Sequence, residues 1–334
     1  MAAVPDAVIA LSRLAKRNWP IIQGEPVLVM HRENTVFRAE TSLGPAALRL
    51  HRQGYHSEAA LQSELDWMVM LADGGLAVPQ PIPAADGSLL AELNDNGGTV
   101  RMADMLTWLN GAPLGRSGEI LQHQPDQCAA IFKAIGAAMA MMHTLSDTWT
   151  PPPAFSRPRW DRDGLIGDAP FWGSFWEVST ISAAEQALLH DIRNQCRQDL
   201  DAYVARGADF GLIHADLVRE NVLVSGAKVH FIDFDDSGFG FRMFDIATAL
   251  IKNRREPEFA RLKHALFAGY ESIRPLHPHD SAALSLFTAL RSLTYLGWAE
   301  TRREEPGMQE RLGRMKQDAF ELSRDYLRKS VGRQ

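Results

Sequence analysis

Four residues stand at a spacing that could do chemistry. His214, Asp216 and Asn221 lie in Leu212-Ile-His-Ala-Asp-Leu-Val-Arg-Glu-Asn-Val-Leu-Val224, and Asp233 follows in Val229-His-Phe-Ile-Asp-Phe-Asp-Asp-Ser-Gly238. The pattern is H-x-D-x4-N, with an aspartate twelve residues past the asparagine. The flanking apolar triplets read as short strands, which would hold the intervening loop in place. These residue types suit phosphoryl transfer. A carboxylate orients an incoming hydroxyl and accepts its proton, while acid and amide oxygens hold magnesium against the phosphates. Mg²⁺ takes one or two carboxylates plus substrate oxygens, so Asn221 and Asp233 suit it, with Asp216 as the base. Read alone, His214 serves equally as a core histidine. Asp233 to Gly238 echoes a calcium loop, but the twelfth position would be Phe244 rather than an acid. Asp235 and Asp236 are either solvated or face a cationic substrate.

Such a loop needs elements to position it. A short amphipathic helix is expected over 6–17. Strands are expected at Pro26–Met30, Thr35–Glu40 and Ala46–Leu50, bounded by Gly24, Glu33-Asn34 and Gly44-Pro45, as an antiparallel meander. A helix over 57–72 has Ser57 as N-cap and Gly74-Gly75 as its stop. Two further strands, Leu89–Ala91 and Val100–Leu106, flank a turn at Asn94–Gly98. Asn110–Pro113 reads as a hinge. A helix over 125–146 follows, in which His143 reads as a packing residue. Residues 154–180 read as a long functional loop with short helical turns. Its Trp160, Phe171, Trp172, Phe175 and Trp176 are either core or the wall of an acceptor pocket, where aromatic faces favour a cation. A helix over 182–206 and strands at 211–213, 222–224 and 229–232 precede a helical remainder. The last helix, 311–329, puts Leu312, Met315, Ala319, Leu322 and Tyr326 on one face for docking on the core. The expected class is α+β and two-lobed: a β-rich N-lobe over 1–108 with one long helix, and a mostly helical C-lobe over 109–334.

Composition sets bounds on function. The chain has 334 residues, 35 Lys plus Arg against 41 Asp plus Glu, and a formal net charge of −6. Proteins that wrap phosphate backbones are usually basic, so no nucleic-acid partner is expected. The two cysteines, Cys128 and Cys196, have no CxxC spacing, which excludes a disulfide framework and a Cys-rich zinc site. The N-terminal stretch lacks a basic region ahead of an apolar core, so no secretory signal is read. The longest uncharged apolar run, near Ala134 to Met142, is too short to span a bilayer. A cytoplasmic protein with no membrane partner is expected, and the oligomeric state is left open.

The segments HADLVREN and IDFDD resemble the catalytic and metal-binding motifs of the protein-kinase-like aminoglycoside phosphotransferase and choline kinase superfamily. The flavour is nearest the group containing stress response kinase A and the type II homoserine kinases. Glu33-Asn34-Thr-Val-Phe is similar to that group's E-N-x-V-Y hairpin, which stands where protein kinases have a glycine-rich loop. Glu64 is similar to the N-lobe helix glutamate. Met105-Leu106-Thr-Trp108-Leu-Asn-Gly111 is similar to the adenine-contacting hinge, and Met243-Phe-Asp245 to the segment after the metal loop.

The resemblance implies a two-lobed kinase fold with ATP between the lobes. It implies Asp216 as catalytic base with His214 supporting its loop, and Asn221 and Asp233 as Mg²⁺ ligands. Asn34, Leu106 and Trp108 are implied as nucleotide contacts. Where the family has an N-lobe lysine, this chain has Arg49, which keeps the charge and can fork onto phosphate or carboxylate. Alternation turns Arg49 away from Leu48 and Leu50, and Glu64 is its expected partner, so that the guanidinium steadies the α- and β-phosphates. The implied activity is ATP- and Mg²⁺-dependent transfer of the γ-phosphate to a hydroxyl of a small molecule, of amino alcohol, sugar or aminoglycoside type. Val218 stands where protein kinases usually place lysine, which leans toward a small-molecule acceptor or an unusual protein acceptor. The alternatives are a protein Ser/Thr kinase of the stress response kinase A type, with a protein hydroxyl as acceptor, and a nucleotide-binding regulatory module without turnover.

Overall fold

Alternation of apolar and polar residues builds an antiparallel sheet in the first part of the chain. Strand β2 (Thr35–Thr41) buries Phe37 and Ala39 and exposes Arg38 and Glu40, the period of a half-buried strand. It lies between β1 (Ile22–His31) and β3 (Gly44–Leu50). With β4 (Leu90–Asn94) and β5 (Val100–Thr107) the sheet order is β1-β2-β3-β5-β4. The register opposes Val36 to Arg49 and Arg49 to Asp104. One face packs Phe37, Leu48 and Met105 with Leu11 and Trp19 from the N-terminal segment, where α1 (Asp6–Leu14) ends in a 3₁₀ turn, Ala15–Arg17, earlier than the helix expected over 6–17. Helix α2 (Glu58–Asp73) begins where expected, with the Ser57 hydroxyl accepting the Ala60 N–H.

The computed structural model describes residues 6–31, 34–94, 98, 100–179, 181–305 and 307–331. Glu33 of the expected hairpin motif, and residues 95–97 of the expected Asn94–Gly98 turn, lie outside them. The chain divides into two units. The first comprises Met1–Ala112, Trp149–Arg157 and His230–Asp235; the second comprises Pro113–Thr148, Pro158–Val229 and Asp236–Gln334. Two short segments from late in the chain therefore join the first unit.

In the second unit, helices dominate. After the two-residue strand β6 (Ala112–Pro113) come α3 (Pro125–Thr148), β7 (Arg159–Trp160), α4 (Arg162–Ile166) and α5 (Ala183–Ala205). Then come β8 (Phe210–Ile213), β9 (Val222–Ser225), β10 (Lys228–Phe231) and β11 (Gly238–Phe241). Helices α6 (Arg242–Ile251), α7 (Phe259–Glu271), α8 (Pro278–Ala282), α9 (Leu284–Glu300) and α10 (Met308–Val331) close the chain. The small sheets have orders β10-β9-β6 and β7-β11-β8. Sequence reading passed over β11, because Gly-Phe-Gly-Phe carries little strand propensity. Tertiary space explains its glycines: a Cβ at Gly238 would stand 2.2 Å from the Pro158 carbonyl oxygen, and one at Gly240 2.4 Å from Ile213 Cδ1. The expected loop over 154–180 carries β7, α4 and a 3₁₀ turn, Phe175–Glu177. Helix α10 buries Leu312, Ala319, Phe320 and Tyr326 and packs on α9.

Helix α3 is longer and more apolar than its uncharged run suggested; by length and composition it could cross a bilayer. Half of its most apolar window is buried in the fold. It packs against α7 backbone to backbone. A Cβ at Gly136 would lie 2.0 Å from the Leu266 carbonyl oxygen, and one at Gly269 1.9 Å from the Lys133 carbonyl oxygen. Neither obstacle is a flexible side-chain end. Gly136→Ala is therefore expected to cost about 1–3 kcal/mol through forced separation of the helices. Urea unfolding of the variant checks this, and an unchanged midpoint would contradict the close packing.

Candidate active site

The loop after β8 is held in a conformation that its sequence alone would not choose. Ala215 has φ of 66°, in the left-handed region that residues with a Cβ seldom occupy. Asp245 in the first turn of α6 stabilises it. Its carboxylate accepts the backbone N–H of His214 at 2.9 Å and of Ala215 at 2.7 Å. Burial pushes the Asp245 carboxyl above its ordinary range, against the pull of these neighbours. The same carboxylate meets His143 Nε2 at 3.1 Å, and His143 Nδ1 meets the Tyr270 hydroxyl at 2.8 Å. Burial pushes the His143 pKa well below the usual value, so the ring is neutral. The carboxylate assigns the proton to Nε2, and Nδ1 accepts from Tyr270. His143 is thus packed at the heart of the second unit, as the sequence reading expected.

Within the loop, His214 is fully buried and its Nδ1 lies 3.3 Å from the Asp216 N–H. The Asp216 carboxylate has one oxygen 2.5 Å from Arg291 Nη2 and the other 3.0 Å from Asn221 Nδ2. Its side chain is 23% exposed, so it remains within reach of a ligand. Asn221 also donates to the Asp216 carbonyl at 2.9 Å. With both amide bonds directed at Asp216, the Asn221 carbonyl oxygen is the face left for a metal. That donor chemistry fits a hard cation. Among the described residues no three His, Cys, Asp or Glu side chains converge as a metal cage. Buried Arg219 anchors the loop further on, donating to Asn253 at 2.8 Å and to Glu256 at 2.5 Å.

The first unit gathers the other expected residues. Arg49 turns away from Leu48 and Leu50, as alternation required. Its Nη1 donates to Glu64 at 2.8 Å, the expected pair. Asp104 across the strand pair takes a bidentate hold, Nε at 2.8 Å and Nη2 at 2.6 Å. His51 Nε2 meets Asp104 at 2.7 Å, and Arg157 Nη1 lies 3.8 Å from Glu64. Glu64 and Asp104 are fully buried. Burial works to raise the Asp104 pKa, but Arg49 and His51 hold the carboxyl well below its usual range. Sequence reading missed Asp104, Arg157 and Arg291. The available signal was a charge inside an apolar run, Ala103-Asp104-Met105 and Leu290-Arg291-Ser292-Leu293, since charged residues are rarely buried unless paired.

Asp233, also in the first unit, has φ of 66°. Asp235 is neither solvated nor turned outward, which corrects one of the two expectations for it. It is 5% exposed, its carboxylate lies 3.6 Å from His56 Nε2, and its carbonyl accepts from Arg157 at 2.5 Å. Asn34 accepts the Arg52 N–H at 3.1 Å. Leu106 is buried and bridges to Pro81, and Trp108 lies under the Arg38 guanidinium at 5.4 Å.

The aromatic group of residues 154–180 is largely core. Trp160 stacks on Phe244, and the cations nearest the other rings belong to the chain: Arg193 lies 3.5 Å from the Trp176 centroid and Arg291 4.6 Å from that of Trp172.

Three comparisons bear on this arrangement. Residues 27–282 match the family described as "Phosphotransferase enzyme family". A homoserine kinase of Rhizobium etli (strain CIAT 652) is 30% identical over 269 residues, 79% of this chain and 75% of that one. The fold superposes on a microcompartment-associated aminopropanol kinase with a TM-score of 0.81 and 29% identity, covering 97% of this chain and 98% of the other. It also superposes on the amicoumacin kinase hAmiN, solved in complex with AMP-PNP, Ca²⁺ and Ami, with a TM-score of 0.76 and 19% identity, covering 95% of this chain and 94% of that one. The family match spans most of both units' residues, including the loop that carries Asp216, and the chain belongs to the phosphotransferase enzyme family as a small-molecule kinase with an alcohol group as acceptor.

Proposed function

We propose that the protein transfers the γ-phosphoryl group of ATP, with Mg²⁺, to the hydroxyl of a small amino alcohol. The observation that carries this reading is the Asp216 carboxylate, fixed by Arg291 and Asn221 yet still partly exposed. Asp216 orients the acceptor hydroxyl and takes its proton as the new bond forms. Buried His214 holds the backbone that presents Asp216. Asn221 and Asp233 supply the metal's protein oxygens; when bound, the ion neutralises charge on the phosphates. Arg49, fixed by Glu64 and Asp104, steadies the α- and β-phosphates. Asn34, Leu106 and Trp108 are the remaining nucleotide contacts. The relatives support the acceptor class, because homoserine and aminopropanol each carry an amino group and a hydroxyl. A kinase of similar fold holds an ATP analogue with a divalent ion, which supports the ATP–metal pairing.

An ADP-release assay with ATP, Mg²⁺ and a panel of amino alcohols tests the reading, with mass spectrometry of the product. Acceptor-dependent ADP and a phosphorylated alcohol are expected; ADP release that no amino alcohol stimulates would overturn it. The metal assignment has its own check. Asp233→Ala is expected to abolish the part of the ATP-induced thermal shift that depends on Mg²⁺, since it removes the charged ligand. A variant that keeps the wild-type Mg²⁺ increment excludes Asp233 as the ligand.

A further inference from the structure

Beside Asp216, the second unit carries two cations whose charge the roles given above leave largely unused. Arg291 of α9 is fully buried. Its Nη2 is engaged by Asp216, but its Nε and Nη1 meet no hydrogen-bond partner, and neither does the buried Trp172 Nε1. Buried donors left unpaired cost about 1–3 kcal/mol each, so native proteins leave few. The guanidinium lies 4.6 Å from the Trp172 centroid, 5.3 Å from Phe244 and 4.1 Å from Tyr295. A second cation approaches the same tyrosine: Lys252, just past the end of α6, places Nζ 4.0 Å from the Tyr295 centroid.

The carboxylates that act on Lys252 are committed elsewhere. Asp318 pairs with Arg254 at 2.5 Å and Arg255 at 2.7 Å. Glu220 accepts the Ser117 N–H at 2.6 Å and its hydroxyl at 3.0 Å. Asp216 is shared between Arg291 and Asn221. Burial, and then the nearby Arg291, push the Lys252 pKa down to about 8. Two cations and one shared carboxylate leave the cluster short of negative charge. Unlike Arg291, Lys252 is only partly buried, so a ligand can reach it.

We propose that Lys252, backed by Arg291, is an anion subsite of the acceptor pocket, and that the acceptor carries a carboxylate as well as its hydroxyl. This rests on the reading of Asp216 as the group that meets the acceptor hydroxyl. Of the aromatic rings that the sequence offered to a cationic substrate, Trp172 is already served by Arg291 and Trp176 by Arg193, and a resident guanidinium repels a second cation. Lys252 contacts the carboxylate. Arg291 is a positioning residue: it fixes Asp216 and adds charge from behind.

Steady-state kinetics on two acceptors test the proposal. They are homoserine and the aminopropanol that has the same terminal hydroxyl and amino group but no carboxylate. The wild type is expected to favour homoserine by at least about tenfold in kcat/KM, mainly through KM, in keeping with a charged hydrogen bond. Lys252→Met is expected to shrink that preference about 10–100-fold, and Lys252→Arg to restore most of it. A wild type that favours the aminopropanol, or a Lys252→Met loss that is equal for both acceptors, overturns the subsite and leaves the amino-alcohol kinase standing. Phosphorylation of neither acceptor, nor of any other amino alcohol, overturns both.

Discussion

Asp216→Asn is expected to lower turnover by about 10²–10⁴ while ATP binding persists, because a general base contributes on that scale and touches the acceptor rather than the nucleotide. The substitution is nearly isosteric. The amide oxygen can still accept from Arg291, which stands 2.5 Å from one carboxylate oxygen in the wild type. What disappears is the negative charge that takes the hydroxyl proton. Arg291 is fully buried and loses its counter-ion, so some stability falls with the activity. Two readouts separate these effects: kcat from ADP release, and the ATP-induced rise in Tm. A variant with the same ATP-induced rise and a collapsed kcat fits the assignment. Wild-type kcat excludes Asp216 as the base.

The second large effect is on stability. Arg49→Ala is expected to cost about 3–5 kcal/mol, the range for removing one partner of a buried ion pair. Glu64 and Asp104 are fully buried, and Arg49 donates to both. Arg49→Lys keeps the charge but loses the fork that grips Asp104 through two nitrogens, so an intermediate loss is expected. The pH dependence has a definite sign. Asp104 has a depressed pKa in the folded chain, so its stabilisation is present above the unfolded carboxyl value of about 3.9 and is lost as pH falls below it. Arg49→Ala removes the chief cause of that depression. The stability gap between wild type and variant should therefore begin to narrow near about pH 5 and go on narrowing as pH falls through the depressed Asp104 value. Urea unfolding at several pH values measures it. Equal midpoints at pH 7 would mean that the cage contributes nothing.

What the sequence disclosed, and what it withheld, follows from how far each signal reaches along the chain. Ser57 as a cap, the meander of β1 to β3 and the strand-flanked loop at Asp216 are local patterns, and the structure has all three. The Arg49–Glu64 pair was legible because strand alternation and one following helix confine both residues. Asp104 is 55 positions from Arg49, and only the β3–β5 register brings them together. Arg291 is 75 positions from Asp216, and although a charge within an apolar helix marks it as paired, nothing local names its partner. Strand β11 failed for a different reason: its glycines answer to Pro158 and Ile213, which lie outside any local window.

The first unit's late segments have a consequence for how the chain is made. When residue 112 has been translated, the sheet strands β1 to β5 are complete, but Arg157, which lies 3.8 Å from Glu64 and donates to the Ala60 carbonyl, has not been added. Nor have Phe234 and Asp235, whose carbonyls take the other end of the same guanidinium. At about 5–20 residues per second, the ribosome needs about 6–25 seconds to go from residue 112 to residue 235. Until residue 157 is added, Glu64 of α2 is without its second arginine, and until residues 234 and 235 follow, that arginine is without their carbonyls. The N-terminal unit cannot reach its final state as an independent early product of synthesis; it matures only when two-thirds of the polypeptide exists.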